Sequence, residues 1–409
     1  MAYIEPQARQ LIVDAGNRLF ELGLVARTWG NISARVSRTH FLITPSGIPY
    51  DKLTPDKIVL ASIDDLGYEG ELRPSDEIGI HADAYRIRPE VNFVIHTHQE
   101  YACLMCATDT PVDNVPEEYK EILGDFVPIG DYGLPATKKL CKGVRTAFEN
   151  YPNSNAVIMK NHGAACAGKD YEDAFKIALA LEEVCKIAVE DNYLKKSKAD
   201  KFDEIEMIDF YLNLQNRNLK MPDEIEDLGE SQRVGNSFKL TLKDGKTYDC
   251  LVDSNFYSEE TPKVANIHRE IYKSSDALYI SHLTEPSTVA LSVVGEEMYP
   301  YLDDFSQISG ATIKVSEWDK SYIENSSTDI AKKLKRRNAV LIKGLGAICI
   351  SKKKSDLVAT KIVTDKGCRA EISVILFGKG EPISKFHRYV MRAVYTFYYS
   401  KQADWKVKN

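Results

Sequence analysis

The feature that most constrains the fold of this chain is an internal repeat. Four segments of the first half return in the same order in the second half. The paired segments are residues 80–85 and 267–272, 93–95 and 278–280, 117–119 and 296–299, and 156–164 and 339–347. Chance is enough to explain a single match of this kind, but four matches in order indicate two copies of one fold.

Size and composition fit a folded protein with two domains. A chain of 409 residues is too long for one ordinary core and predicts two domains of about 200 residues each. The net charge of -7 offers no basic field to nucleic acid, and no apolar run approaches the roughly 20 residues that span a bilayer. The first residues show no export signal, so we expect a cytoplasmic location.

Short apolar strands alternate with helical segments along the chain. Residues 6–22 have the spacing of an amphipathic helix, whereas residues 91–96 read as a short strand. This mixture predicts an α/β layered domain. The charged stretch 195–227 reads as a helical connector, so we place one domain at residues 1–228 and a degenerate copy at residues 229–409.

Two cysteines, Cys103 and Cys106, have C-x-x-C spacing and are either a redox or metal site or buried structural residues. The spacing is found at redox and metal sites. Here it lies in an apolar helical stretch, where cysteine behaves as a small hydrophobic residue. We therefore expect both cysteines to be buried and structural.

Four side chains of the first copy form a candidate metal site. His96 and His98 follow an apolar strand at positions i and i+2, and in extended chain both imidazoles point to the same side. His162 ends another apolar strand, and Glu77 opens a helix from which its carboxylate can reach the same place. A lone H-x-H pattern is weak, but three imidazoles and one carboxylate suit zinc, with manganese, cobalt or iron as alternatives.

The second copy serves as an internal control for this site. In our alignment of the two copies, the four matching positions hold no ligand: Val264, Ser281, Leu283 and Leu345. Joint loss is expected if the four ligands share one function. His81, one helical turn after Glu77, persists in the second copy as His268, so we assign His81 a supporting rather than a ligating role.

Three polar turns of the first copy are candidates for binding a substrate. Backbone N–H and hydroxyl groups from such turns can cradle an anion. Ordinary turns have the same composition, so spacing alone favours ordinary turns. The three turns are residues 28–31, 44–47 and 74–76.

Together these residues resemble the class II aldolase/adducin family, in family order over residues 5–195. The resemblance implies a three-layer α/β domain with a central, mainly antiparallel sheet. The second copy resembles the same fold in decayed form, so the domain is expected twice. The matching segments are Gly30-Asn-Ile-Ser33, Thr44-Pro-Ser-Gly-Ile-Pro-Tyr-Asp-Lys-Leu53, Pro74-Ser-Asp-Glu77, His96-Thr-His98 and Asn161-His-Gly163.

The resemblance also implies roles for individual residues. Glu77, His96, His98 and His162 would hold a zinc-type ion, and Glu77 would also act as the catalytic acid/base. A tyrosine from a neighbouring subunit would donate a proton; Tyr119 is the loose match, and in a tandem chain Tyr299 or Tyr301 of the second copy is the alternative. The implied substrate pocket comprises Thr28, Gly30, Asn31, Ser46, Gly47, Ser75 and Asp76.

Asp76 is a departure from the family pattern. Phosphate-binding members usually carry a second serine at this position. A carboxylate there would repel a dianionic phosphate, which puts a phosphorylated substrate in doubt. Asp76 would instead meet a hydroxyl group, or swing out and leave the pocket intact.

These observations predict a metal-dependent lyase of the aldolase type. It would cleave or form a C–C bond in a small, sugar-like hydroxy-ketone, through an enediolate that the metal stabilises. Epimerisation, dehydration and decarboxylation share this enediolate and stay open. A non-catalytic, adducin-like assembly role is the alternative from another class. The resemblance also implies a homo-oligomer, either a dimer or a tetramer. From the net charge and the lack of a long apolar run we expect no nucleic acid or membrane partner.

Overall fold

The computed structural model describes residues 2–22, 24, 29–215, 217–253 and 261–399. The chain forms two compact units, which comprise residues 1–196, 377–381 and 396–409, and residues 197–376 and 382–395. Residues 197–228 thus group with the second unit, although the sequence placed them with the first. A family-domain boundary at residue 228 stays a prediction.

The first unit begins with a long helix and then alternates strands and helices. Two short 3-10 turns, Tyr50–Lys52 and Pro55–Lys57, lie between its second and third strands. Its helices are α1 Glu5–Glu21, α2 Ile78–Ile87, α3 Glu100–Thr108, α4 Glu117–Leu123, α5 Lys138–Asn150 and α6 Tyr171–Ser197. Its strands are β1 Asn31–Arg35, β2 His40–Ile43, β3 Val59–Ser62, β4 Phe93–Thr97, β5 Ile129–Gly130, β6 Ala156–Met159 and β7 Gly163–Gly168.

These strands form one seven-stranded sheet in the order β3-β2-β1-β4-β7-β6-β5. Every neighbouring pair is antiparallel except the outermost pair, β5 and β6. The central strands β4 and β7 are buried along their whole length. Full burial requires cover on both faces of the sheet. The predicted three-layer architecture with a mainly antiparallel sheet is confirmed.

Helix α5 illustrates how the sequence builds this cover. Leu140, Val144, Ala147 and Phe148 recur at helical spacing and give one apolar face. That face is buried in a core that also contains residues of α2 and of the sheet. Thr137 begins the helix, since its side-chain oxygen accepts a hydrogen bond from the Leu140 N–H.

The second unit repeats the same plan. Its seven strands pair in the same spatial order as those of the first unit, and among the described strands only the outer pair, Val315–Ser316 with Ala339–Ile342, is parallel. Its helices are α7 Glu204–Leu214, α8 Ala265–Ser274, α9 Pro286–Val294, α10 Asp303–Ile308, α11 Ile323–Lys333, α12 Lys354–Phe377 and α13 Lys385–Val394, the last followed by a π-helical turn, Tyr395–Tyr399. Its strands are β8 Glu230–Val234, β9 Ser237–Thr241, β10 Thr247–Leu251, β11 Tyr279–Leu283, β12 Val315–Ser316, β13 Ala339–Ile342 and β14 Gly346–Ser351.

Strand pairing corrects our alignment of the two copies by one residue. In the first sheet His96 lies opposite Ala165, two residues beyond Gly163. In the second sheet His282 lies opposite Ile348, two residues beyond Gly346. His282, and not Ser281, therefore occupies the position of His96, and Thr284, not Leu283, follows as the counterpart of His98. The predicted loss of all four ligands was wrong at one of them.

Two further predictions concern Cys103, Cys106 and the membrane. Both cysteines are buried in α3 without a disulfide, as predicted. Among the residues that the structure describes, none of the helices combines the length and the apolar character that crossing a membrane requires.

Candidate metal centre and active site

The four candidate ligands come from separate elements of the first unit. His96 lies in β4, and His98 directly follows that strand. His162 lies in the turn between β6 and β7, and Glu77 immediately precedes α2. Because β7 pairs antiparallel with β4, the turn that carries His162 is brought to the end of β4.

The β6–β7 turn approaches β4 unusually closely. Asn161 adopts a left-handed backbone conformation with φ of 60°, which asparagine tolerates better than most residues. A Cβ atom on Gly163 would lie 2.3 Å from the Thr97 carbonyl oxygen and 3.2 Å from Cε1 of His96. Only glycine allows this approach, and it sets His162 beside the two histidines of β4.

The structure brings all four predicted ligands together. Nε2 of His96 lies 3.1 Å from Nε2 of His98 and 3.2 Å from Oε2 of Glu77. Nε2 of His162 lies 2.9 Å from Oε1 of Glu77. The three imidazole rings are 4.8 to 4.9 Å apart between centroids. Within the described parts of the chain, these histidines are the one cluster of three such groups close enough to hold a metal ion.

A backbone contact orients the His96 ring. Its Nδ1 lies 2.8 Å from the carbonyl oxygen of Ala164, which can only accept a hydrogen bond, so Nδ1 carries the proton. Burial lowers the pKa of His96 to about 3. The ring is therefore neutral, and the Nε2 lone pair faces the other ligands.

Glu77 is a buried carboxylate at the centre of this cluster. Its Oε2 accepts a hydrogen bond of 2.9 Å from Nδ2 of Asn31. Burial acts to raise the pKa of Glu77, but the positive charge that His162 and His96 carry when protonated outweighs burial and holds the pKa well below its usual range. Glu77 is therefore ionised at neutral pH.

This donor set fits a divalent ion of the zinc type. Neutral imidazole nitrogens and an ionised carboxylate are ligands that such ions prefer. His96 and His162 are buried, and a buried carboxylate needs a compensating positive charge. The chemistry of the donor set and its convergence both suit one cation.

His81 supports this cluster through Asn31. Nε2 of His81 hydrogen-bonds to Oδ1 of Asn31, and Nδ1 lies 2.6 Å from Oγ of Ser33. Both ring nitrogens are therefore engaged by neighbours that are not ligands. This geometry agrees with the supporting role that the sequence predicted.

Two of the predicted polar turns lie side by side, next to Glu77. Pro45 pairs with Pro74 as a short β-bridge. Ser46 N donates to the Arg73 carbonyl at 2.9 Å, and Ser75 N donates to the Thr44 carbonyl at 3.0 Å.

The remaining predicted pocket residues flank these turns. Gly30 and Gly47 have positive φ values of 76° and 71°, so each makes a turn that disfavours side chains. Ser75 Oγ accepts a hydrogen bond of 3.3 Å from the Glu77 N–H. Thr28 lies outside the described residues.

Arg73 is a neighbour of the predicted pocket residue Asp76 that the sequence analysis missed. Its guanidinium forms an ion pair with Asp76, whose side chain is 11% exposed, whereas the Arg73 side chain is 55% exposed. The i,i+3 spacing of opposite charges was a signal in the sequence. Such spacing indicates a contact reliably only within helices, whereas Asp76 lies in the turn that precedes α2.

Tyr119 lies apart from the ligand cluster. It is half-buried in α4, and its backbone N–H bonds to the Pro116 carbonyl at 2.9 Å. Among the described residues, no hydrogen bond or ring contact joins Tyr119 to the four ligands. A donor supplied by a neighbouring subunit would not contact them within one chain, so its role stays a prediction.

Comparisons with known proteins identify a family model that matches both halves of the chain and relatives that match part of it. The family model described as Class II Aldolase and Adducin N-terminal domain matches residues 10–189 and 238–372. The L-fuculose phosphate aldolase of Escherichia coli O6:H1 is 32% identical over 180 residues, which cover 44% of this chain and 81% of that protein. The 5-deoxy-D-ribulose 1-phosphate aldolase of Bacillus thuringiensis serovar kurstaki is 30% identical over 200 residues, 48% of this chain and 92% of that protein.

A solved structure was also found, that of an L-fuculose 1-phosphate aldolase. It has a TM-score of 0.43 and 27% identity, and covers 51% of this chain and 96% of that one. The family match includes one segment in each half, which agrees with the predicted tandem arrangement. The chain therefore belongs to the class II aldolase and adducin N-terminal domain family, as the resemblance of its motifs indicated.

Proposed function

We propose that the first unit is a metal-dependent lyase of the aldolase type, acting on a small phosphorylated hydroxy-ketone. One observation carries the proposal: the buried carboxylate of Glu77 lies 2.9 to 3.2 Å from the imidazoles of His162 and His96, and His98 adjoins them. The relatives named as fuculose phosphate and deoxyribulose phosphate aldolases support this reaction class.

The metal ion, Glu77 and Asn31 each have a defined part in the proposed reaction. A divalent ion held by the four side chains, zinc by donor preference, supplies a Lewis acid for negative charge that develops on a substrate oxygen. Glu77 moves the proton at the carbon from which the bond breaks, since it is ionised and buried. Asn31 holds one carboxylate oxygen of Glu77 in a fixed direction through its amide.

The Arg73–Asp76 ion pair supports a phosphorylated substrate. Unpaired, the Asp76 carboxylate would repel a dianion. Its pairing with Arg73 offsets that charge, and the Arg73 side chain is 55% exposed. In this proposal Gly30, Ser46, Gly47 and Ser75 line the phosphate pocket; Thr28, which the resemblance also implies, lies outside the described residues.

Tyr119 is the proposed proton donor, acting on the site of a neighbouring subunit. This role of Tyr119 requires a homo-oligomer, either a dimer or a tetramer. We propose that the protein acts in the cytoplasm. Tyr301 is the weaker alternative, because burial raises its pKa to about 12 and makes its hydroxyl a poorer acid. Tyr299 is 44% exposed and is the second alternative.

Metal analysis and an aldol-cleavage assay on ketose 1-phosphates test this proposal, with two matched variants. His96→Asn removes a ligand, whereas His282→Asn changes the histidine at the same strand position of the second unit. We expect about one ion per chain in the wild type. His96→Asn should lower both metal content and cleavage by about a hundredfold or more, and His282→Asn should leave both intact.

Two results would contradict this proposal. Equal losses in His96→Asn and His282→Asn would show that the effect is structural. Bound metal without cleavage of any phosphorylated or free ketose would favour a binding or assembly role. That alternative suits the second unit in particular, where Val264, Thr284 and Leu345 stand in place of three ligands.

A further inference from the structure

A chain of buried hydrogen bonds runs from the core of the first unit to Glu77. Oη of Tyr85 lies 2.7 Å from Oγ of Ser33, which lies 2.6 Å from Nδ1 of His81. Nε2 of His81 bonds to Oδ1 of Asn31, and Nδ2 of Asn31 donates to Oε2 of Glu77 at 2.9 Å. All five side chains belong to residues that are more than nine-tenths buried.

The ionised carboxylate at one end fixes the direction of every donor. Glu77 only accepts, so the NH₂ group of Asn31 must face it and the Oδ1 atom must face His81. Asn31 Oδ1 also only accepts, so Nε2 of His81 carries the ring proton. Nδ1 of His81 then accepts from the Ser33 hydroxyl, and Ser33 accepts from Tyr85. Each member thus has one consistent orientation.

The second unit keeps the first three members of this chain. Oγ of Ser231 lies 2.7 Å from Nδ1 of His268 and 2.7 Å from Oη of Tyr272. His268 is fully buried, like His81. A tyrosine, a serine and a histidine in this arrangement therefore belong to the fold and do not require a metal site.

The hydrogen-bond chains of the two units differ in the group that accepts the hydrogen bond from the histidine Nε2–H. In the second unit, Nε2 of His268 bonds to the backbone carbonyl of Leu228 at 2.7 Å. The residue at the position of Asn31 is Gly229, which has no side chain to accept the hydrogen bond. In the first unit, the Asn31 amide stands between the histidine and the carboxylate.

We propose that Ser33 and His81 are positioning residues for Glu77, and that Asn31 connects a triad common to both units to the metal centre of the first. This inference rests on the proposed metal site. It also gives Asn31 a positioning role in place of the substrate contact that the family resemblance implied. Partners of this kind hold a ligand in the orientation that a metal ion requires.

A matched pair of variants separates positioning from plain structural support. His81→Leu and His268→Leu each remove a buried histidine that bonds to a serine, so both should lower the melting temperature to a similar degree. His81→Leu should in addition weaken Zn²⁺ binding by about 10- to 100-fold, measured by competition with a chelating dye. It should also alter the visible spectrum of Co²⁺-loaded protein. His268→Leu should change neither.

A conservative variant provides the rescue. His81→Gln retains an N–H donor in reach of Asn31, so we expect it to recover most of the Zn²⁺ affinity that His81→Leu loses. If His81→Leu does not fold, Ser33→Ala and Ser231→Ala form a smaller matched pair. Ser33→Ala should weaken Zn²⁺ binding, whereas Ser231→Ala should not.

The inference is overturned if Zn²⁺ affinity and the Co²⁺ spectrum are unchanged in both His81→Leu and Ser33→Ala. It is also overturned if the variants of the second unit weaken metal binding equally. None of these readouts depends on turnover. Loss of affinity in a protein that cleaves no ketose would therefore sustain the positioning role while the proposed activity failed.

Discussion

Glu77 receives its neighbours from parts of the chain far apart in sequence. The sequence predicted Glu77 and the three histidines as candidate ligands, because each lies in a polar motif at the beginning or end of a helix or strand. It could not reveal that Asn31 faces Glu77. That contact depends on β1 pairing with β4, which places Asn31 directly opposite His96. Contacts between side chains of separate elements depend on the order in which the strands pair, and no local pattern encodes that order.

Arg73 is the residue whose removal best tests the substrate class. We expect Arg73→Ala to raise KM for a ketose phosphate by about tenfold, because one partly exposed charge-assisted contact is lost and the Asp76 carboxylate is uncovered. kcat should change little, since the ion pair of Arg73 is with Asp76 and not with a candidate metal ligand.

The double variant Arg73→Ala/Asp76→Ser is the control for that prediction. It removes the repulsive carboxylate together with its partner, so KM should return toward the wild-type value. Steady-state kinetics with a phosphorylated ketose and its unphosphorylated counterpart provide the measurement. An equal rise in KM for both substrates would show that Arg73 does not recognise the phosphate.

Strand β11 shows why register was harder to predict than fold. A strand with one buried face alternates apolar and polar residues, and this alternation fixes its register. The equivalent strand β4 is buried on both faces, so its apolar run aligns equally well after a shift of one residue. Our alignment made that shift and paired His96 with Ser281. The glycines that open β7 and β14 were the better anchors.

Replacing each of these two glycines with alanine tests how closely the strands β7 and β14 must approach their neighbours. Gly163→Ala would press a methyl group against the Thr97 carbonyl and the His96 ring, so we expect it to destabilise the protein and weaken metal binding. Gly346→Ala, the equivalent change in the second unit, meets the Leu283 carbonyl at 2.2 Å with φ of 94°. It should destabilise the protein without altering metal affinity.

Thermal melts and Zn²⁺ titrations of both variants provide the measurement. Unchanged metal affinity in Gly163→Ala would mean that close approach of the β6–β7 turn to β4 is not required for the metal centre.

At the scale of the whole molecule, one fold is present twice but the candidate ligands converge once. The repeat was readable from the sequence because apolar segments of the core recur in order. Both sheets then follow the same strand order, including the parallel pair at one edge. The division of the connector was not readable, because it depends on packing of α7 with the second unit.

Removal of metal should therefore affect the two units unequally. A ligand that binds only the folded state stabilises it by about 4 kcal/mol when present at a thousand times its dissociation constant. We expect a chelator to speed amide hydrogen exchange in β4, β7 and the start of α2. Exchange in β11, β14 and α8 should stay constant. Equal acceleration in both sets of segments would contradict a single metal centre in the first unit.

His282 carries a consequence for how the second unit could change in evolution. His96 gives Nδ1 to a carbonyl and leaves Nε2 for the ligand cluster. His282 gives Nε2 to the Leu345 carbonyl, while its Nδ1 accepts from the Leu228 N–H. Its ring thus adopts the opposite tautomer, with both nitrogens occupied. If the three missing ligands were restored by mutation, this imidazole would still be unable to join them. The two backbone contacts of His282 therefore oppose a return of the second unit to metal binding.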